Sequence, residues 1–348
     1  MLRRNQSRVP GRFSGLLLLL LLGLVGTVGC GSPTGTLNIR AIYTDLDGTV
    51  LLAKDHLPNP ATVEALRAFQ RAGGKVGIAT GRTLEQIAGV VTEGAPGSPH
   101  PTEERRLRPD LPLVLFNGAV VLSPDRKTLL SAQALDVAVV QKVDAVLAQE
   151  PAVRGVVSHF LRRTLVSSDR ALGPYLQRLH IEHPIVEPNL VQATHATAAD
   201  DPLIKLVVVV DPAKAPALES ALAAALGGAA RAVLTNPSVG CVEVLAPQTH
   251  KAIGIRKALT GTGIAPDELL VFGDAPNDTE MLREFRHSVA VGNCSGSACE
   301  AAAARLCHAC TADTDGLARV IGRYVLGGDT RADPFALAPC DCREQLPK

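Results

Sequence analysis

Aromatic residues are scarce in this 348-residue chain: Phe, Tyr and Trp make up 3% of it, and Trp is absent. The core must therefore be assembled from Ala, Val, Leu and Ile. A surplus of either charge is missing too. Thirty-five Lys and Arg stand against 34 Asp and Glu, a formal net charge of +1, which offers no electrostatic footing for nucleic acid, a partner that ordinarily needs a basic face. After the first thirty residues no apolar run approaches the roughly 20 residues that span a bilayer. There is no internal repeat and, beyond that leader, no low-complexity stretch. What remains is the composition of a folded soluble protein, 46% hydrophobic and 20% charged. Its length suits a core domain plus a second module, at about 100–200 residues per domain.

The leader, residues 1–30, stands apart from the fold. Arg3, Arg4, Arg8 and Arg12 form a basic head, and Gly15 to Val28 is a nearly unbroken apolar run rich in Leu. That run is short for a membrane span and suits the hydrophobic region of a signal peptide. Thr27-Val28-Gly29-Cys30 resembles a bacterial lipoprotein cleavage site, with Thr27 where Leu is usual. Cys30 would then be the lipidated first residue of an exported, membrane-anchored protein. Removal of the leader takes four Arg and no acid, turning +1 into −3. The alternative is a cytoplasmic chain beginning near Leu37, since Met1 and Met281 are the only methionines and a non-Met start there would leave the leader outside the protein.

From Asn38 onward, short apolar runs ending on a polar residue alternate with helical patterns, which predicts a parallel α/β sheet. Ile39 to Thr44 ends at Asp45, Lys75 to Ala79 at Thr80, Leu113 to Phe116 at Asn117, and Leu269 to Gly273 at Asp274. Ser288 to Val291 would add a strand, and Ala61 to Ala72 and Ala252 to Leu259 read as helices. Ligands of such sheets bind beyond the carboxyl ends of the strands, so these polar residues converge on one edge. The pattern changes between Val120 and Ala246, where a smaller α+β unit with its own sheet is expected. The expected organisation is a Rossmann-like core over 37–119 and 247–326, an inserted cap over 120–246, and a Cys-containing tail over 327–348. Glu93 to Pro112, with repeated Pro and Gly and the cluster Glu103-Glu104-Arg105-Arg106, reads as an exposed loop.

Four elements carry chemistry. Asp45-Leu46-Asp47-Gly48-Thr49 places two acids at i and i+2 on a turn that Gly48 permits, so that one can attack while the other handles protons. Thr80-Gly81-Arg82 offers a hydroxyl and backbone N–H groups to phosphate oxygens, with Gly81 allowing close approach. Lys251 opens a helix, where its ammonium and the positive helix end can face one anion. Gly273-Asp274-Ala275-Pro276-Asn277-Asp278 follows an apolar strand, and hard oxygen ligands at two strand ends suit Mg²⁺.

In this order, at strand ends, these residues resemble motifs I to IV of the haloacid dehalogenase (HAD) superfamily. Asn117-Gly118-Ala119 before the insertion, Val242-Glu243-Val244 before Lys251, and the Gly-Asp-x-x-Asn-Asp form of the fourth motif are similar to its Cof-like branch. The resemblance spans Asn38 to Val325 and implies a cap inserted between motifs II and III. It implies that Asp45 attacks phosphorus and forms an aspartyl phosphate, and that Asp47 protonates the leaving oxygen and then activates water. Thr80, Gly81 and Lys251 would bind the transferring group; Asp45, the Asp47 carbonyl and Asp274 would ligate Mg²⁺ with Asp278 in support; Asn277, Arg82 and Asn117 would order the site. The implied activity is hydrolysis of small phosphorylated, sugar-phosphate-like metabolites, with a phosphomutase as the alternative. Asp47 sets both apart from the superfamily's dehalogenases and ATPases, which lack an acid there.

Eight cysteines add a reading of a different class, a lipid-anchored, non-catalytic protein that binds a metal or a partner through its Cys-rich end. Cys294, Cys299, Cys307 and Cys310 lie close together, and Cys340 and Cys342 close the chain. The single CxxC at Cys307 and Cys310 could serve zinc; disulfides suit an exported protein, and free thiols remain open. Cys241 sits in an apolar strand as a buried thiol. In the cap, His159, Arg162, Arg163 and Arg170 could meet an anionic or sugar substrate, although exposed Arg is ordinarily solvated surface.

Overall fold

The first strand is mostly apolar because both faces of a parallel sheet are covered. In the computed structural model, which describes residues 37–91, 105–178, 185–189, 192, 201–236, 238–306 and 310–327, that strand is β1 (Ala41–Thr44), buried at every position. It is followed by α1 (Pro60–Arg71), β2 (Lys75–Ile78), β3 (Leu113–Leu115), β4 (Val120–Leu122), β5 (Leu129–Ala132), α2 (Val137–Leu147), β6 (Val153–Phe160), β7 (Thr164–Val166), α3 (Asp169–Arg178) and β8 (Ile185–Val186). Next come β9 (Leu203–Val210), α4 (Ala215–Leu226), β10 (Arg231–Asn236), β11 (Cys241–Leu245) and α5 (Lys251–Leu259). The last are β12 (Leu269–Gly273), α6 (Thr279–Glu284), β13 (His287–Ala290), α7 (Ser297–Ala301), β14 (Ala304–Arg305) and α8 (Gly316–Val320).

Five strands form a parallel sheet in the order β14-β13-β12-β1-β2. Successive residues of β1 point to opposite faces. Ile42 joins Val63, Leu66 and Phe69 of α1 and Leu317 of α8, whereas Ala41 and Tyr43 join Ala252 and Ile255 of α5 and Met281 of α6. The result is a three-layer α/β core of the Rossmann-like type. Thr44 lies level with Ile78 and with Phe272, so Asp45, Thr80 and Asp274 leave the sheet at the same edge. Asn59 starts α1 by accepting from the Ala61 N–H at 2.8 Å, with Pro60 at the first helical position.

A second, six-stranded sheet, β10-β11-β9-β6-β7-β8, lies within the inserted segment and pairs antiparallel except between β7 and β8. All eight residues of its central β9 are buried, with α2 and α4 on one face and α3 on the other. This is the α+β cap expected from the change in pattern. The expected boundary at Val120 falls inside a further three-stranded antiparallel sheet, because β4 and β5 pair with β3; strands of three or four residues carry too little alternation to show their partner in sequence.

Two other expectations differ in detail. The end of the segment read as an exposed loop is tied down: Leu107 and Leu111 are buried, their N–H groups donate to Val90 and Val76 carbonyls, and Arg105 pairs with Asp55 at 2.8 Å. Charge density marked this stretch as surface and concealed its two anchoring leucines. Among the described residues no helix is long and apolar enough to cross a membrane. The leader with Cys30, residues 92–104, Cys307, Cys340 and Cys342 lie outside the described residues.

Candidate active site

The turn after β1 is built to meet the loop after β12. The Asp45 N–H donates to the Phe272 carbonyl at 3.0 Å. Gly48 has φ +76, and a Cβ there would lie 2.2 Å from Asp274 Oδ2, so a larger residue would drive the two loops apart. The Thr49 hydroxyl donates to Asp274 Oδ1 at 2.9 Å, and Asn293 Nδ2 donates to the Gly48 carbonyl at 2.8 Å. Neither role is marked by the sequence around Thr49 or Asn293.

Lys251 is the first residue of α5, whose N-cap His250 accepts from the Ile253 N–H at 3.4 Å. Burial holds the His250 imidazole below its ordinary value, which keeps a ring nitrogen free to accept. The Lys251 side chain is fully buried, and its Nζ donates to Asp45 Oδ1 at 2.6 Å and to Asp278 Oδ1 at 2.7 Å. The other Asp278 oxygen accepts from the N–H groups of Asp274 and Ala275 at 3.0 and 3.1 Å. Asp278 thus braces both the lysine and the loop that carries Asp274.

Thr80 is buried at the end of β2, and its hydroxyl accepts from the Arg82 N–H at 3.2 Å. The Arg82 guanidinium forks onto Asp47, with Nε 2.8 Å from Oδ2 and one terminal nitrogen 2.6 Å from Oδ1. This bidentate pairing fixes the carboxylate's plane, while the Asp47 side chain stays 54% exposed. Asn117 links two residues distant in sequence: its Nδ2 donates to Glu243 Oε2, and its Oδ1 accepts from Asn277 Nδ2, both at 3.0 Å. Glu243 also accepts from Lys205 Nζ at 2.9 Å.

Oxygens of Asp45, Asp274 and Asp278 lie within 4.8 Å of one another, with one ammonium among them. Were all three carboxylates ionised, two negative charges would be left over in a buried place. Burial, followed by the nearby Asp278 charge, pushes Asp274 up to about 7. Burial also raises Asp45 well above the carboxylate range; Lys251 opposes the shift, and Asp278 and Asp274 add to it. For Lys251, burial favours loss of the proton, but Asp278 and Asp45 outweigh it and hold the group charged. Uncompensated hard oxygens at this spacing are what a divalent cation would satisfy.

Asp274 also ties stability to pH. Its folded-state value is raised from 3.8 to about 7, so between those values the folded chain holds a proton that the unfolded chain has released. Stability then falls as pH rises through that window. With divalent cations chelated, the protein is expected to be more stable near pH 5 than near pH 8 by on the order of a few kcal/mol from this group. Urea unfolding at the two values, beside Asp274→Asn, checks this; the variant should lose the part of the difference that Asp274 supplies and keep the part that the raised Asp45 supplies.

The cysteines and the cap cations resolve in part. Cys294 and Cys299 form a disulfide, Cys310 is disulfide-bonded, and Cys241 is a buried thiol. Cys294 comes directly after Asn293, and the Ser295 N–H between the two bonded cysteines donates to the Asp274 carbonyl at 2.8 Å. His159 is buried against Thr164 at 3.1 Å, so it does not form surface for a ligand. Arg163 pairs with Asp201 at 3.1 Å and lies over the Phe160 ring, and the Arg162 N–H donates to Asp201. Arg170 is exposed.

Residues 42–321 match the family pattern described as haloacid dehalogenase-like hydrolase. A protein of Mycoplasma pneumoniae named as a phosphatase is 25% identical over 265 residues, which is 73% of this chain and 87% of its own. A HAD/Cof-like hydrolase from Plasmodium vivax has a similar structure, with TM-score 0.69 at 23% identity over 83% of this chain and 96% of that one. A HAD subclass IIB sugar phosphatase gives TM-score 0.64 at 19% identity over 82% and 98%. At these identities the structural likeness is one of fold.

Proposed function

The chain belongs to the haloacid dehalogenase-like hydrolases, and on that footing we propose that it is a Mg²⁺-dependent phosphatase of small phosphorylated metabolites, with Asp45 as nucleophile. The observation that carries this reading is the buried cluster in which Lys251 donates to both Asp45 and Asp278 while Asp274 stands beside them. A carboxylate cannot approach a phosphate ester unless positive charge offsets the repulsion. Lys251 supplies part of it from a water-poor position where its field is strong.

An Asp45 oxygen attacks phosphorus as the bond to the leaving oxygen breaks, and Asp47 gives that oxygen its proton. Asp47 then takes a proton from the water that attacks the aspartyl phosphate, freeing inorganic phosphate and restoring Asp45. Arg82 orients Asp47 throughout, and the exposure of Asp47 leaves it open to both leaving group and water. The Thr80 hydroxyl and the Gly81 N–H receive phosphoryl oxygens. Mg²⁺ would be held by Asp45, Asp274 and the Asp47 carbonyl, with Asp278 behind them, and would neutralise charge on the phosphoryl oxygens.

Support for a sugar-phosphate-like substrate comes from the sugar phosphatase of like fold, and a phosphomutase would use the same residues. A panel of sugar phosphates and one aryl phosphate, assayed for both free phosphate and isomerised sugar phosphate, separates them. Free phosphate that depends on Mg²⁺ and disappears with chelator is expected; isomer without free phosphate would reverse the assignment. The non-catalytic alternative calls for stoichiometric zinc and no turnover on any ester.

Export with lipidation at Cys30 is proposed on the basic head, apolar run and small-residue site before that cysteine. The cross-linked Cys294 and Cys299 suit the oxidising compartment to which it would lead. Intact-mass measurement of protein from its native host should find a diacylated chain beginning at Cys30. A soluble, unlipidated chain starting near Leu37 would refute export.

A further inference from the structure

Three polar side chains lie side by side in an otherwise apolar region of the six-stranded sheet. His159 on β6 stands opposite Lys205 on β9. Glu243 on β11 stands opposite Val207, two residues along the same face from Lys205. Their exposures are 1%, 4% and 9%. Burying a lysine and a glutamate is costly, and apolar residues of similar volume would serve stability as well or better. Packing alone therefore gives no reason for the pair.

Their partners do. Lys205 Nζ donates to Glu243 Oε1 at 2.9 Å and to the Gly81 carbonyl at 3.2 Å. Glu243 Oε2 accepts from Asn117, which accepts in turn from Asn277. One continuous set of hydrogen bonds thus runs from two cap strands to the turn after β2 and to the loop that carries Asp274 and Asp278. Burial, together with the Lys205 charge, keeps His159 well below its ordinary value and so neutral, leaving Lys205 and Glu243 matched one to one.

The backbone that receives these bonds needs holding. Phe116 and Asn117 have φ of +51 and +55, a conformation that Asn tolerates but that a bulky residue such as Phe116 keeps only where the surroundings impose it. Gly81 is pressed against the same asparagine, since a Cβ there would lie 2.9 Å from Asn117 Oδ1.

We infer that Lys205 and Glu243 are positioning residues, an ion pair carried by the cap that sets the Gly81 turn for the phosphoryl group and, through Asn117 and Asn277, the Asp274 loop. Neither touches substrate. The inference rests on the phosphatase reading and adds to it that the cap, besides covering the site, holds the phosphate-binding turn in register.

The test uses the full chain carrying Lys205→Met together with Glu243→Leu. Four quantities are read: kcat and KM on an aryl phosphate with Mg²⁺, the urea midpoint, and the rise in melting temperature that orthovanadate produces with Mg²⁺. Exchange of a buried ion pair for apolar groups by itself leaves stability about level, but the Gly81 carbonyl and Asn117 Nδ2 lose their partners, so the urea midpoint is expected to fall modestly with the chain still folded. A misplaced turn is expected to lower kcat on the order of 10²-fold with little change in KM, and to diminish the orthovanadate shift.

Glu243→Asp keeps the charge beside Lys205 and shortens its reach to Asn117; it should show the same split in smaller measure, and it decides the matter if the double variant does not fold. A folded variant with wild-type kcat and wild-type orthovanadate shift overturns the inference. Wild-type protein that releases no phosphate from any ester overturns the phosphatase reading itself, and the inference with it.

Discussion

Turnover by Asp45→Asn is expected to fall by on the order of 10⁴-fold or more while the chain stays folded. Asn has nearly the shape of Asp, and its Oδ1 can still accept from Lys251 Nζ, which donates to Asp45 at 2.6 Å in the native chain. The strand-end bond from the residue 45 N–H to the Phe272 carbonyl is a backbone bond and is indifferent to the change. Only the negative charge and the nucleophile are lost. Because that charge is one of three crowded carboxylates, the chelated variant should resist urea at least as well as wild type. Steady-state phosphate release and urea unfolding on the same preparation give both numbers; wild-type turnover would sink the assignment of the nucleophile.

Lys251→Met is expected to damage activity and stability together, and the pattern of its rescue is the informative part. The side chain has no exposure and two carboxylate partners. Its removal leaves Asp45 and Asp278 buried without their cation, a loss of about 3–5 kcal/mol for broken buried pairs. Turnover should drop on the order of 10²-fold or more, as when a group that meets developing charge is removed. Mg²⁺ should return part of the stability by binding only the folded chain. Lower pH should do the same, since Asp45 and Asp274 are held above their ordinary values and take up protons readily in the folded state. Urea midpoints with chelator, with Mg²⁺, and at two pH values check this; a variant as stable as wild type under chelation would show that the carboxylates do not depend on Lys251.

Much of this site is legible along the chain because each part is local. A buried parallel strand announces itself as an apolar run, and the polar residue that ends the run must stand at the sheet edge, so Asp45, Thr80 and Asp274 can be placed from the chain alone. Lys251 can be placed because it opens a helix just after a strand. The supporting residues are harder. Thr49 and Asn293 touch Asp274 from turns whose sequences read only as turns. Lys205 meets Gly81 across 124 positions, a separation at which no local pattern survives.

A signal is nevertheless present. Leu203–Val210 carries one lysine amid seven apolar residues, and Cys241–Leu245 one glutamate amid four. Opposite charges alone in two buried strands require each other, or a partner beyond the sheet. The three-residue strands β3 and β4 and the anchoring Leu107 and Leu111 are illegible for a different reason, namely that their partners, and not their own composition, give them their structure.

The most direct test of the account is to look for the covalent intermediate. Wild-type protein turning over an aryl phosphate with Mg²⁺ is quenched in acid and digested, and the phosphoryl group is located by mass spectrometry. The phosphoryl group is expected on the peptide that bears Asp45, absent in Asp45→Asn and absent when chelator is added before substrate. Steady phosphate release with the phosphoryl group on another residue would contradict it.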